Sequence, residues 1–171
     1  MAASRSGDRA VVTLPSARLC VGLISDTHGL LRPEATAFLA GSDHIVHAGD
    51  VGEPSILDAL AAIAPVTAIR GNVDTDVWAG RLRETELVRF GEIAVYVLHD
   101  VKALDLDPRA EGVRVIVSGH SHKPLVVERA GVLYVNPGSA GPRRFRLPVC
   151  AAELIIDGRA VSARIEELTA G

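Results

Sequence analysis

Short apolar runs and stretches of helical periodicity alternate along the first half of the chain. Residues 19–24 form a continuous apolar run, which predicts a strand buried on both faces, and the largely apolar residues 44–48 and 66–69 predict two further strands. Between them, the segments that begin at Pro33 and Pro54 carry apolar residues at helical spacing, with proline in the first turn. Strands that alternate with helices in this way favour parallel pairing through right-handed crossovers. The first half therefore predicts an α/β arrangement.

The second half contains closely spaced strand-like segments. They are residues 86–90, 93–98, 113–117, 125–128, 132–135, 149–156 and 160–166. The turn pairs at 91–92 and 157–158 contain glycine and predict hairpins, while residues 103–110 add at most a short helical turn. Both halves together predict two sheets packed face to face with helices outside. We expect one domain at residues 15–171 after a flexible polar tail at residues 1–14.

Composition narrows the class of protein. The 171 residues are 48% hydrophobic and 23% charged, which suits one globular domain with a full core. The net charge of -3 gives no reason to bind long nucleic acid, whose affinity rests on lysine and arginine. The longest apolar stretch, residues 56–69, is interrupted by an aspartate and a proline and is too short to span a bilayer. We therefore expect a cytoplasmic protein without membrane association.

Side chains that bind metal ions follow five of the predicted strands. They are Asp26 with His28, Asp50 after Gly49, Asn72 after Gly71, His99, and His120 with His122 after Gly119. Glycine before a ligand permits a tight turn, and in an extended segment alternate residues such as Asp26 and His28 point to the same side. Each segment alone is explained by a turn or a buried histidine. Together they predict a metal site for ions such as Mn, Fe or Zn.

These segments give residues 19–146 a resemblance to the calcineurin-like metallophosphoesterases, especially the small phosphodiesterases of the YfcE type. The resemblance implies a four-layer αββα sandwich of two mixed sheets flanked by helices. It also implies two divalent ions, with manganese preferred and Ni, Zn, Fe or Mg as alternatives. One ion would be held by Asp26, His28, Asp50 and His122. The second would be held by Asp50, Asn72, His99 and His120, so that Asp50 bridges both.

The implied reaction is hydrolysis of a small phosphoester by a hydroxide between two ions. Asp50, Asn72 and His99 form the implied catalytic set. The expected substrate-binding residues are Arg70, Asn136, Ser139 and Arg143, with Arg144 as an alternative to Arg143. Asn136-Pro-Gly-Ser139 matches a family loop near the site. The alternative for each arginine is a solvated position on a loop.

The sequence departs from the family pattern at two positions. Many members carry a histidine that protonates the leaving oxygen where this chain has Val73, which predicts activity on activated aryl diesters rather than alkyl esters. Asp74 is either a substitute acid or a turn residue, and the turn residue is favoured. Asp100 stands where glycine often follows the ligand His99. It either orients a ligand imidazole or caps the following loop.

Four further residues have structural interpretations. His47 is expected to be a buried strand histidine rather than a support for the metal ligands, and His44 is expected at the surface. Cys20 and Cys150 lie in apolar runs and are expected to be free buried thiols rather than a disulfide.

Two other functions compete with a phosphodiesterase. A Vps29-like scaffold would not need metal ligands, whereas all seven ligand positions are filled here. A phosphomonoesterase or protein phosphatase for large substrates would need longer loops. The substrate is left open among cyclic nucleotides, small diesters and phospholipid fragments. Apolar edge strands in the second half are compatible with a homo-oligomer.

Overall fold

Two mixed β-sheets stand at the centre of the structure, a computed structural model that describes residues 10–12 and 18–169. The strands are β1 Ala10–Val12, β2 Leu19–Ile24, β3 His44–His47, β4 Val66–Ala68, β5 Thr85–Phe90, β6 Ile93–Leu98, β7 Val115–Val117, β8 Leu125–Arg129, β9 Val132–Asn136, β10 Cys150–Asp157 and β11 Ala160–Glu167. The helices are α1 Pro33–Leu39 and α2 Pro54–Ala61. Two short 3-10 turns cover Val77–Arg81 and Val101–Ala103.

The first sheet confirms the α/β prediction for the first half. Its strand order is β11-β10-β2-β3-β4, and β2, β3 and β4 run parallel with α1 and α2 as crossovers. Both helices start with proline in the first turn, where its missing N–H costs nothing. Helix α2 buries Ile56 and Leu60, which are one turn apart, against the sheet.

The second sheet has the order β1-β5-β6-β7-β9-β8. The predicted hairpins are present as the antiparallel pairs β5–β6 and β10–β11. One apolar cluster joins the inner faces of the two sheets, with Val21 and Leu23 on β2 and Val95 and Val97 on β6. A second cluster joins the first sheet to both helices. The face-to-face sandwich is therefore confirmed.

The layer outside the second sheet differs in detail from the sequence prediction. Instead of a helical turn at residues 103–110, a 3-10 turn forms at Val101–Ala103. Leu104 follows it and packs on Leu98, Val113 and Ile116. Asp100 starts the turn by accepting a hydrogen bond from the backbone N–H of Lys102.

Two sequence predictions need correction. Residues 10–12, inside the predicted tail, form β1 and pair in parallel with β5; residues 1–9 and 13–17 lie outside the described residues. His44 was predicted at the surface and is buried, because β3 is an inner strand covered on both faces. Its Nε2 lies 2.8 Å from Oγ1 of Thr67, and its ring meets Phe90 edge to face.

The cysteine prediction is confirmed. Cys20 is half-buried and Cys150 is buried, and both thiols are free. Burial raises the pKa of each thiol to about 11, so neither is activated as a nucleophile. None of the described helices is long and apolar enough to cross a membrane.

Candidate metal centre

The predicted ligands meet at one edge of the sandwich, where parallel strands of both sheets end. Three of the segments follow β2, β3 and β4 of the first sheet, and two follow β6 and β7 of the second. Because the carboxyl ends of parallel strands lie at the same edge, residues far apart in sequence come together there. The ligand atoms form two groups, each within 4.8 Å. One consists of Asp26, His28 and His122, and the other of Asp50, His99 and His120.

The first group is tightly spaced around Oδ1 of Asp26. Nε2 of His122 lies 3.3 Å from this oxygen, and Nε2 of His28 lies 3.8 Å from it. The two imidazole Nε2 atoms are 3.4 Å apart. Three donor atoms of metal-binding type thus face one small volume, as expected for a divalent cation site.

The second group lies beside the first and includes Asn72. Nε2 of His99 is 3.1 Å from Oδ2 of Asp50, and Nδ1 of His120 is 3.2 Å from Oδ1 of Asn72. Oδ2 of Asp50 is also 3.7 Å from Nε2 of His28, a member of the first group. One carboxylate oxygen of Asp50 therefore lies between the two groups.

The backbone at the centre is held in an uncommon conformation. Five of the seven described non-glycine residues with positive φ are candidate ligands, namely Asp26, His28, Asp50, His120 and His122, with φ between 47° and 69°. The sequence argument that placed alternate residues on one side of an extended segment is therefore wrong. Side chains still converge, but through left-handed turns. Such a conformation costs roughly 1–3 kcal/mol per residue and persists only when neighbouring contacts enforce it.

Backbone hydrogen bonds between loops enforce these turns. The N–H of Asp26 donates to the carbonyl of Gly49 at 3.0 Å, and the N–H of His28 donates to the carbonyl of Asp50 at 2.9 Å. The loops after β2 and β3 are thus joined residue by residue. Ser25 adds a hydrogen bond from its Oγ to Oδ2 of Asp26 at 2.7 Å, which leaves Oδ1 to face the histidines.

Two of the glycines before ligands serve close approach rather than a turn conformation. A Cβ at Gly71 would overlap the backbone N and Oδ1 of Asp50 and lie 2.8 Å from its Cγ. A Cβ at Gly119 would overlap Oγ of Ser25 and lie 2.6 Å from Oδ2 of Asp26. The loops that carry Asn72 and His120 can approach the two aspartates only because these side chains are absent.

Unsatisfied polar atoms fit bound cations. Oδ1 of Asp26 and Nε2 of His99 are buried and have no hydrogen-bond partner among the described residues. Nδ1–H of His99 donates to the carbonyl of Ala48 at 2.7 Å, so in the neutral ring Nε2 carries the lone pair. That lone pair faces a carboxylate oxygen of Asp50. A backbone carbonyl behind a ligand histidine is a common support in metal sites, and a cation would satisfy both orphaned atoms.

The electrostatics of the centre also favour positive charge. Burial raises the pKa of Asp26. Burial also opposes ionisation of Asp50, but the His99 imidazole and the N–H of Val73 hold its pKa below the ordinary value. The pKa of His99 is raised, because Asp50 and the carbonyl of Ala48 outweigh the effect of its burial. Without a metal, the carboxylates thus favour protonation of His99.

Asp74 is a loop clamp. Its Oδ2 accepts hydrogen bonds from the N–H groups of Val51 at 3.0 Å and Gly71 at 2.9 Å, and its Oδ1 accepts one from Gly52 at 3.0 Å. The carboxylate therefore ties the loop of Asp50 to the loop of Asn72. The turn-residue interpretation is confirmed. The sequence does not reveal that the Asp74 carboxylate also joins two ligand loops.

Asp100 confirms the capping interpretation, and its other carboxylate oxygen lies near a candidate ligand imidazole. Its Oδ1 accepts a hydrogen bond from the N–H of Lys102 at 3.0 Å, which caps the 3-10 turn. Its Oδ2 lies 3.8 Å from Nε2 of His120, whose Nδ1 faces Asn72. One carboxylate therefore caps the loop and stands behind a candidate ligand.

His47 confirms its prediction as a buried strand histidine. Its Nε2–H donates to Oγ1 of Thr27 at 2.9 Å, and its Nδ1 accepts from the N–H of Gly49 at 3.2 Å. Burial lowers its pKa to about 4, so the ring is neutral at pH 7. Its hydrogen bonds to Thr27 and Gly49 also support the two ligand loops, a role that the sequence prediction did not favour.

Two predicted substrate-binding residues instead brace the ligand loops. Nδ2 of Asn136 donates to the carbonyl of Gly119 at 2.9 Å and to Oγ of Ser121 at 3.1 Å. Oγ of Ser139 donates to the carbonyl of Asp26 at 3.0 Å. Both side chains are buried and donate these hydrogen bonds to ligand loops, so each has a structural role at the centre.

The predicted arginines border the centre on different sides. Arg70 lines a cleft of about 1010 Å³ together with Asn72, His99 and His120. Its guanidinium donates to the carbonyl of Leu82 and to Glu84, so it is partly committed to structure. Arg143 is exposed on the loop after Ser139. Burial lowers the pKa of His122, and the positive charge of the neighbouring Arg144 lowers it further. Arg144 therefore lies within electrostatic range of the centre.

Comparison with known proteins agrees with this geometry. The model of the calcineurin-like phosphoesterase superfamily domain matches residues 19–158. A probable metallophosphoesterase of Methanothermobacter thermautotrophicus is 37% identical over 159 residues, which cover 86% of this chain and 91% of that protein. The family resemblance carried by the ligand segments is thereby confirmed.

Solved structures support the fold. Vacuolar protein sorting 29 of Cryptosporidium parvum has a TM-score of 0.77 at 23% identity, over 90% of this chain and 93% of that one. YfcE, a phosphoesterase from E. coli, has a TM-score of 0.63 at 19% identity, over 88% of this chain and 100% of the YfcE chain. These identities show the shared sandwich alone. From the family match and the relative that is 37% identical, the chain belongs to the calcineurin-like phosphoesterase superfamily.

Proposed function

We propose that the protein is a dinuclear, metal-dependent phosphodiesterase that hydrolyses small diesters with good leaving groups. The observation that carries the proposal is the position of Asp50. Its Oδ2 lies 3.1 Å from His99 in one ligand group and 3.7 Å from His28 in the other. A carboxylate shared by two groups of donors is the arrangement that a pair of adjacent cations requires.

The residues would divide between two ions in the manner that the family resemblance implies. Asp26, His28 and His122 would hold one, Asn72, His99 and His120 the other, and Asp50 would bridge them. Bound divalent ions of this kind generate a nucleophile from water and offset the charge that develops on the phosphoryl group. The family resemblance favours Mn, and the mixed oxygen and nitrogen donors are also compatible with Ni, Zn, Fe and Mg.

The chain offers little help with the leaving group, and this favours activated diesters. Val73 is half-exposed beside the centre, where its side chain cannot donate a proton. Asp74 is buried and its carboxylate is occupied by backbone N–H groups. The leaving oxygen must therefore depart with little protonation, which suits aryl and other acidic alcohols.

A scaffold without catalysis is the competing function, since a Vps29 structure shares the fold. Two observations favour the enzyme. All seven ligand positions carry donor side chains, and five of them keep an uncommon backbone conformation. Catalysis by a pair of metal ions requires the complete donor set. The proposed substrate is a small phosphoester in the cytoplasm. A homo-oligomer is compatible with the exposed Leu125 and Val126 on the edge strand β8.

The test begins with metal-stripped protein reloaded with Mn, Ni, Zn, Fe or Mg. Each form is assayed with p-nitrophenyl mono- and diesters, and bound metal is measured by elemental analysis. We expect two ions per chain and a preference for diesters. A preference for monoesters would favour a phosphomonoesterase, and inactivity without bound metal would eliminate the enzyme.

The matched variants are Asp50→Ala and Asp107→Ala. Asp50→Ala removes the shared carboxylate and should lose both ions and turnover. Asp107 is exposed and only caps a turn through the N–H of Arg109, so its variant should bind metal and turn over like the wild type. Turnover retained in Asp50→Ala would show that the proposed centre is not the active site.

A further inference from the structure

A basic loop with an exposed aromatic ring stands beside the first ligand group. Its residues Arg143, Arg144, Phe145 and Arg146 are exposed, and so is Lys123, which directly follows the ligand His122. Lys123, Phe145, Arg146 and Leu147 line a depression of about 670 Å³, which we call the basic aromatic pocket. Nothing in the proposed mechanism uses these residues.

The loop is fixed to the metal centre at its base. The N–H of Cys150 donates to the carbonyl of Ser139 at 2.9 Å, so both ends of the loop meet. At the same base, the N–H of Ala140 donates to the carbonyl of Ser25 at 3.0 Å, and a Cβ at Gly141 would lie 2.5 Å from the carbonyl oxygen of Asp26. The base of the loop that carries the pocket is therefore held next to the centre.

Phe145 is unusual in two respects. Its side chain is 95% exposed, and its φ of 54° lies in the left-handed region that bulky residues avoid. Neither property contributes to folding, since the ring buries nothing and the backbone is strained. An exposed ring in a strained loop next to an active site indicates a role in binding.

The charge of the pocket points to an anionic ligand. None of the four basic side chains, Lys123, Arg143, Arg144 and Arg146, forms an ion pair with another described residue. These four cations lie together although the whole chain has a net charge of -3. Unpaired cations around an aromatic face are the combination that binds nucleotides, in which the base stacks on the ring and the phosphate meets the cations.

The cleft on the other side of the centre is different. Its two arginines, Arg70 and Arg83, are within ion-pair distance of Glu84 and Glu86. Asp100 and Asp105 also line it. This cleft has no excess of positive charge and is suited to the leaving alcohol. The two ester groups of a diester would then lie on opposite sides of the phosphorus.

We propose that the basic aromatic pocket binds the nucleoside of a nucleotide diester, the part that stays on phosphorus after hydrolysis. The inference rests on the proposed phosphodiesterase function and gives it a substrate class. Water adds to phosphorus as hydroxide, the bond from phosphorus to the leaving oxygen breaks, and the leaving group departs as its anion while the proton of the water passes to solvent. The nucleoside monophosphate remains, with its base on Phe145 and its charge near Lys123 and Arg146.

The test compares two substrates that share p-nitrophenol as leaving group, thymidine 5′-(p-nitrophenyl) phosphate and methyl p-nitrophenyl phosphate. With metal-loaded protein, we expect kcat/KM to be about tenfold higher for the nucleoside ester, mainly through KM. Phe145→Ala should lower kcat/KM for the nucleoside ester about tenfold more than for the methyl ester. Phe145→Trp should retain the preference. The matched control is Val77→Ala, since Val77 is 97% exposed outside the pocket and should leave the preference intact.

A binding measurement complements turnover. Thymidine 5′-monophosphate titrated calorimetrically into wild type, Phe145→Ala and Lys123→Gln should bind about tenfold more weakly to each variant. If both esters are hydrolysed equally and Phe145→Ala affects them equally, the inference is wrong while the phosphodiesterase function stands. Hydrolysis of neither ester contradicts the proposed function itself. Sedimentation with phosphatidylserine vesicles that depends on Phe145, without a nucleoside preference, would overturn the inference in favour of a membrane contact.

Discussion

Replacement of Gly71 by alanine tests whether close approach of two loops builds the metal centre. Gly71 lies in the loop after β4 and Asp50 in the loop after β3. The added methyl group would overlap the backbone N and Oδ1 of Asp50 and lie 2.8 Å from Cγ of Asp50. The side chain of Asp50 cannot simply rotate away, because its backbone N is part of the overlap. The carbonyl of Asp50 also accepts a hydrogen bond from the N–H of His28 at 2.9 Å.

The size of the effect follows from the overlap. Carbon atoms in contact prefer a separation of about 3.5–4.0 Å, so the two loops must separate by about 1 Å. Overpacking of this kind costs about 1–3 kcal/mol of the free energy of unfolding. A displacement of 1 Å in a catalytic group lowers turnover by about 100-fold. We therefore expect Gly71→Ala to fold, to lose affinity for the ions that Asp50 holds, and to lose about 100-fold in kcat/KM.

The assay uses metal stoichiometry, chemical unfolding and turnover of an aryl diester in the same preparation. Gly80→Ala is the matched control, because Gly80 lines the neighbouring cleft but a Cβ there meets nothing within 4 Å. That variant should unfold within about 0.5 kcal/mol of the wild type and keep its turnover.

A Gly71→Ala protein that binds two ions and turns over like the wild type would contradict this prediction. Asn72 would then tolerate displacement, and close approach would not be what builds the centre. A Gly71→Ala chain that fails to fold would contradict the stated stability cost, since the overlap would then be worth the whole free energy of unfolding.

Three other predictions follow. Asp100→Asn keeps a capping oxygen but removes the negative charge near His120, so metal affinity measured by titration should fall about 10-fold. Asp107→Asn changes the same kind of cap at a site with no ligand histidine nearby and should leave metal affinity unchanged. Burial lowers the pKa of His47 to about 4, so the free energy of unfolding of the metal-free protein should fall by about 3 kcal/mol as pH falls from 6.5 to 4. Urea unfolding of His47→Gln should lack this loss, and an identical pH dependence in the variant would contradict the assignment. Val73→His places a proton donor beside the centre and should raise turnover of alkyl more than aryl diesters, so an equal effect on both classes would remove the missing acid as the cause.

Local sequence patterns predict the architecture and the members of the centre. Buried strands require continuous apolar runs and crossover helices require helical spacing, so both patterns are written locally along the chain. The ligand segments were visible for a related reason. Donor side chains placed directly after apolar strands have no role in the core and mark the carboxyl edge of a parallel sheet. The prediction for His44 failed, because a polar residue inside a short strand does not reveal whether the second sheet covers it, as Phe90 does here.

Only the tertiary structure decided how the centre is supported. The left-handed conformation of Asp26 and Asp50 arises from hydrogen bonds between loops that are more than twenty residues apart, which no local pattern encodes. For the same reason the sequence predicts substrate contacts for Asn136 and Ser139, although in the structure they donate hydrogen bonds to carbonyl groups on distant ligand loops. Strand periodicity depends on neighbours in sequence, whereas support of a site depends on neighbours in space.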